Sequence, residues 1–150
     1  APGRYTVRAI IGSDTLVRAL AVQADPRVRD DNITDGVLLA QERHELAVRD
    51  AVSEARQLAQ RARSVREQVT TRGGALAREA DAIVRALETA EGRYQQPMLV
   101  AQFEYLYGMT TGADQPIPRD AAARLVTLRR QMAALKRRLD AVSRGTTTAD

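Results

Sequence analysis

His44 sits between Glu42 and Glu45, the one place in the chain where an imidazole and two carboxylates fall close together. A metal centre or an acid–base pair would need them on one surface. Adjacent residues on a helix point in different directions, so His44 and Glu45 do not converge. No second His follows, and no His-Glu-x-x-His pattern exists. The reading is therefore a seam histidine, packed or partly exposed. Asp50 with Glu54, and Glu88 with Glu91, have the spacing of paired carboxylates, but glycosidase chemistry also requires a cleft for the sugar between them. Gly73-Gly74 reads as a helix-ending turn, because no Lys-Ser/Thr follows to make a phosphate loop. Cys is absent, which removes thiolate nucleophiles and ligands. No nucleophile elbow or EF-hand loop appears. The expectation is no catalytic residue, no metal site and no cofactor.

Charge is the other chemical resource. Of the 23 basic residues, 22 are Arg, a bias that a GC-rich genome produces without functional cause. The +4 formal charge belongs mainly to the last quarter, where Arg124, Arg129, Arg130, Lys136, Arg137 and Arg138 crowd one helical pattern. Set against a seam of Leu125, Leu128, Leu135 and Leu139, Arg129 and Lys136 lie on one flank and Arg124 and Arg138 on the other. Arg130 and Arg137 point away from the seam. Charges that surround a polar side read first as a solvated face, partly matched by the acidic helix before it. Arg130 and Arg137 are the candidates for electrostatic contact with an acidic protein or lipid surface. A nucleic-acid reader would concentrate its charge or show a recognisable motif, so nucleic acid ranks last among partners.

The elements that would carry these residues are mostly helical. From 34 to 69 an apolar row runs through Val37, Gln41, His44, Val48, Ala51, Ala55, Leu58, Ala62, Val65 and Val69, in steps of three and four. At 1.5 Å per residue this predicts a helix about 50 Å long, capped by Thr34 or by Asn32 with Asp35. Thr70 to Gly74 ends it. A second helix is predicted over 75–94, with Leu76, Ala80, Ile83, Leu87, Ala90 and Tyr94 inward, weakened by Gly92 in its last turn. Pro97 breaks the chain. A short helix over 98–109 turns Leu99, Phe103, Leu106 and Tyr107 inward. Gly108 and Gly112 bracket a loop, and Pro118 suits the first turn of a last helix over 119–142. That helix has the cleanest row: Ala121, Leu125, Leu128, Met132, Leu135, Leu139 and Val142. Residues 144–150 read as a flexible tail. With one Phe and no Trp, Tyr94, Tyr105, Tyr107 and Phe103 are expected as core or rim.

Residues 1–28 read differently. Tyr5, Val7, Ala9 and Ile11 alternate with Arg4, Thr6 and Arg8. Gly12-Ser13-Asp14 supplies a turn, and Leu20, Val22 and Ala24 then alternate with Ala19, Ala21 and Gln23. This predicts a β-hairpin, Arg4–Ile11 with Leu16–Ala24, followed by a polar connector over 27–32. A lone hairpin is marginal in water, so one face must lie on the bundle or on a partner. Tyr5, Val7, Leu20 and Val22 are the expected attachment, with a strand edge open to β-augmentation. The fold expected is mainly α, an antiparallel helical bundle with one very long helix, preceded by an N-terminal β-hairpin. Its structural seam includes Val48, Leu58, Val65, Leu87, Leu125, Leu128, Leu135 and Leu139.

The stretches APGRYTVRAI (1–10) and ALAVQADPRV (19–28) resemble the last hairpin of an immunoglobulin-like module. The helical remainder, with LYGMTTGAD at 106–114, is similar to the C-terminal region of bacterial exported proteins that carry BNR or sortilin-type (VPS10-like) β-propeller repeats. No propeller is present, and only two strands of the sandwich remain. The glycosidase and sorting-receptor labels of that family rest on the propeller, so none of its positions carries over. The resemblance implies export to the periplasm or cell envelope, a docking or spacer role, and a Tyr5 packed near a strand corner with its hydroxyl on a backbone group. No run of eighteen apolar residues occurs to span a membrane. The expected function is a non-catalytic scaffold or accessory subunit, peripheral to a larger envelope or membrane-protein complex. The alternatives are a spacer domain excised from a larger exported protein and a basic nucleic-acid-associated protein. No signal-peptide pattern is read, and Ala1-Pro2-Gly3 suits a mature start and an excised fragment equally.

Overall fold

A computed structural model describes residues 1–71 and 73–147. The fold is mainly helical, a bundle with one long helix preceded by an antiparallel hairpin. The hairpin is β1 (Gly3–Ile11) and β2 (Asp14–Val22), paired from Gly3↔Val22 to Ile11↔Asp14. Asp14 thus belongs to the strand, and the turn is Gly12-Ser13 alone. Gly12 has φ of 61° while Ser13 is not left-handed, as a two-residue type II′ turn requires, and such turns suit the twist of the strands they join.

The expected polar connector contains a single helical turn, α1 (Pro26–Asp30). Asp25 caps it by accepting from the Arg27 N–H, and Pro26 occupies the position where a missing N–H costs nothing. The long helix α2 (Asp35–Thr70) follows, with Thr34 as its cap through the Val37 N–H at 3.3 Å. Asn32, the other cap candidate, instead sits at φ 60° in the approach to the helix.

The bundle has three columns. α2 is the first. α3 (Gly74–Leu87) and α4 (Leu99–Thr110) run back along it end to end, and α5 (Arg119–Thr147) returns beside it. Cross-links fix these directions. Arg63 pairs with Glu88 and Gln41 with the carbonyl of Thr110, which sets α3 and then α4 antiparallel to α2. Arg129 on Ala47 and Arg61 on Asp140 set α5 parallel to α2. The middle column is thus one antiparallel return leg broken in two.

The break is the main departure from the expected boundaries. The second helix stops at Leu87 instead of continuing to residue 94. Glu88 is extended, Gly92 has φ of 132° and Tyr94 φ of 59°, so the chain leaves the helix and turns before Pro97. The Thr89 hydroxyl accepts from the Met98 N–H at 2.9 Å and closes this connection. Ala90 and Tyr94 therefore do not join the seam, and Tyr94 is fully exposed at 101%. Tyr105 and Tyr107 also face outward, leaving Phe103 as the core aromatic.

Within the bundle the rows are buried as their spacing implies. Val48, Leu58, Val65, Leu87, Leu125, Leu128, Leu135 and Leu139 all belong to one core cluster. In the first turns of α2 it is Leu38, not Val37, that is buried. All seven α5 row residues, Ala121 to Val142, are buried. Helix α5 also runs beyond 142, through Gly145 to Thr147, in place of a tail from 144; residues 148–150 and Arg72 lie outside the described residues. Gly145 has a reason to be small. A Cβ there would meet the Leu76 side chain at 3.2 Å, so the glycine lets the start of α3 pack closely on the end of α5.

Candidate functional site

The hairpin stands off this bundle. All nine residues of each strand are exposed, and no core residue comes from residues 1–37. Neither strand packs on a helix among the described residues. Of the two coverings expected for one face, the bundle or a partner, the bundle does not supply one. The core is already filled by the three columns, whose buried apolar rows face one another and not the strands.

The pairing register sorts the hairpin side chains cleanly. One face carries Tyr5, Val7, Ala9 and Ile11 from β1, opposite Leu20, Arg18, Leu16 and Asp14 from β2, with Val22 opposite Gly3. The other carries Arg4, Thr6, Arg8 and Ile10 opposite Ala21, Ala19, Val17 and Thr15. Tyr5, Val7, Leu20 and Val22 thus do share a surface, and all four are exposed. Ile11 and Leu16 extend that surface toward the turn, with Ile11 68% exposed. The Tyr5 hydroxyl donates to the Ala1 carbonyl at 2.5 Å, but the residue, expected to be packed near a strand corner, is 42% exposed.

The root of the hairpin is held at the start of α2. A cavity of about 280 Å³ there is bounded by Pro2, Val22, Ala24, Leu38, Gln41 and Glu45, among others. Gln41 is the residue the sequence undersold. It is only 6% exposed, and both ends of its amide are engaged. Its N–H groups donate to the carbonyls of Thr110 at 3.1 Å and Ala113 at 2.6 Å and to Glu45 at 3.0 Å, while its oxygen accepts from the Gln115 N–H at 3.0 Å. One side chain therefore ties the α4–α5 loop, which has few backbone partners of its own, to α2. Only its place in the α2 row hinted at this; the partners lie some seventy residues away.

His44, one turn on, is buried at 9% exposure. Its Nε2 has no hydrogen-bond partner, and burial holds its pKa below the ordinary imidazole value, opposed by the nearby Glu45 charge. Among the described residues no group of three or more His, Asp or Glu is placed to hold a metal ion.

On α5, Arg138 pairs with Glu79 of α3 at 2.7 Å and Lys136 with Glu54 of α2 at 3.8 Å. Arg124 donates to the Gln102 side chain and Arg129 to the Ala47 carbonyl. Arg130 and Arg137 are exposed and have no partner among the described residues. They and the hairpin lie on different elements and form no common site. A separate apolar groove of about 620 Å³ opens between α4 and α5, where Tyr105, Met109 and Ala121 line it beside Arg124. No helix among the described residues is long and apolar enough to cross a membrane. No family model matches the chain, and neither the curated proteins nor the solved structures give a match.

Proposed function

We propose that this chain is a non-catalytic docking scaffold whose hairpin attaches to another protein, with the helical bundle as a rigid spacer behind it. One observation carries the reading: a nine-residue strand pair with a largely apolar face that its own bundle leaves uncovered. Exposed apolar surface on this scale marks interaction sites in soluble proteins, and an unprotected hairpin is marginal until something packs on it. Deletion of residues 1–24 tests the proposal. The core contains none of them, so the helices should keep their circular dichroism while a partner captured by the full chain from its native extract is lost. Retention of that partner at full occupancy overturns the reading. Loss only in an Arg130→Ala/Arg137→Ala variant would move the contact to α5.

A second reading is favoured by the same two strands. A sheet that stops at two, with the Tyr5 hydroxyl on a local carbonyl, also suits a spacer domain of a larger exported protein, whose remaining strands complete the sandwich. The uncut reading frame separates the two, since a propeller encoded directly upstream would sink the autonomous-subunit reading. A periplasmic or envelope location rests on the resemblance described above and belongs to this proposal. Binding to duplex DNA that falls steeply with salt would instead mark a nucleic-acid-associated protein.

A further inference from the structure

The hairpin's apolar face is not purely apolar. Its five cross-strand levels are Gly3–Val22, Tyr5–Leu20, Val7–Arg18, Ala9–Leu16 and Ile11–Asp14. Arg18 therefore stands at the middle level, flanked on both sides by large apolar side chains. Its guanidinium has only the carbonyl of its own neighbour, Val17, at 3.2 Å. Arg4 and Arg8, on the opposite face, have no partner among the described residues. The bundle contrasts with this, because Arg56, Arg61 and Arg138 each meet a carboxylate on another helix, and Arg63 meets Glu88 at the end of α3. Whatever covers the apolar face also desolvates Arg18, and a charge buried without a partner is costly.

A second copy of the chain does not meet this requirement. A two-fold axis across the strands that overlaps all five levels sets Arg18 over Arg18, and opposed like charges destabilise the contact. Sliding the copies until Arg18 meets Asp14 leaves only three levels overlapped and strands Tyr5, Leu20 and Val22. An axis along the strands sets Arg18 against Val7, with Asp14 four residues away, about 13 Å at strand spacing. The face is nevertheless large enough for a stable contact. Its six large side chains present on the order of 600 Å², so full coverage would bury roughly 1,200 Å² in all, the lower bound for specific interfaces.

We infer that the occupant of this face is a different protein, presenting an apolar surface with a carboxylate at the level of Arg18. This rests on the docking reading above and specifies its chemistry. The carboxylate neutralises Arg18 as water is excluded, sets the register along the strands, and rejects a second copy.

The test uses the full chain with a photo-crosslinking phenylalanine analogue at Leu20 on the apolar face or, separately, at Ala19 on the other. Irradiation is carried out in native extract, and the product is mapped by mass spectrometry. The expected result is a heterologous crosslink from position 20 and not from 19, to a segment containing Asp or Glu. Arg18→Glu should weaken binding to that protein on the order of tenfold or more, Arg8→Glu should leave it near wild type, and reversing the partner's carboxylate to Arg should rescue Arg18→Glu. Crosslinking from position 19 alone, crosslinking only to a second copy, or binding indifferent to Arg18→Glu each overturns the inference. In the last case loss of binding on deleting residues 1–24 leaves the docking function standing. No protein product, whether or not the chain binds phosphatidylglycerol vesicles, also overturns it.

Discussion

Helix α5 and the β1–β2 hairpin are built from the same materials, an apolar row interrupted and flanked by arginines, and they end in opposite environments. In α5 the row from Ala121 to Val142 is buried against α2, α3 and α4. Its basic flanks reach Glu79, Glu54 and the Ala47 carbonyl on neighbouring columns. In the hairpin the row is exposed from end to end, and Arg4, Arg8 and Arg18 meet no carboxylate among the described residues. The difference lies in what surrounds each element. Three helical columns give one another complementary faces, and long helices make many such contacts along their length. Among the described residues the two strands have no third to pair with and lie on no helix face. A satisfied element supplies stability, whereas an unsatisfied one supplies a contact surface.

Mutations should reproduce that division. The largest effect is expected at Leu139, fully buried in α5: Leu139→Ala should cost about 2–5 kcal/mol in urea unfolding followed by helical circular dichroism. Gln41→Ala comes next. It leaves the Thr110 and Ala113 carbonyls and the Gln115 N–H without their side-chain partner, and a loss of about 1–3 kcal/mol is expected. The freed 111–118 loop should also exchange its amide hydrogens faster. A loss as small as that of a surface substitution would show that the loop holds its place without Gln41.

The third effect depends on pH. Burial lowers the folded-state pKa of His44 below its ordinary value of 6.5. Between the two values the unfolded chain binds more protons than the folded one, so stability is fully present above pH 6.5 and declines as pH falls through that window. The slope from one such group cannot exceed about 1.4 kcal/mol per pH unit. His44→Leu should flatten this part of the profile; an unchanged slope would assign the acid sensitivity to other groups. The smallest effects are expected at exposed positions. Arg137→Ala and Leu20→Ala should each leave bundle unfolding within about 0.5 kcal/mol of wild type. If Leu20→Ala instead approached Leu139→Ala, the hairpin would be part of the cooperative core and the comparison would fail.

The sequence by itself determined the elements and their inward faces. Periodicities of 3.6 and 2 are local geometry, and they placed all seven buried residues of α5, the core row of α2 from Val48 to Val69, and the shared face of Tyr5, Val7, Leu20 and Val22. It did not determine where the middle column breaks. Ala90 and Tyr94 continue the helical spacing from Leu87, yet Gly92 and Tyr94 adopt left-handed or near-extended positive φ, and the two halves find separate stretches of α2 to pack on. Nor did it reveal the role of Gln41, whose partners are distant in the chain. The last thing left to tertiary structure was the state of the hairpin. Alternation says that a face is fit for burial; whether anything buries it depends on how the rest of the chain packs, and here the buried rows of the three columns face one another and not the strands.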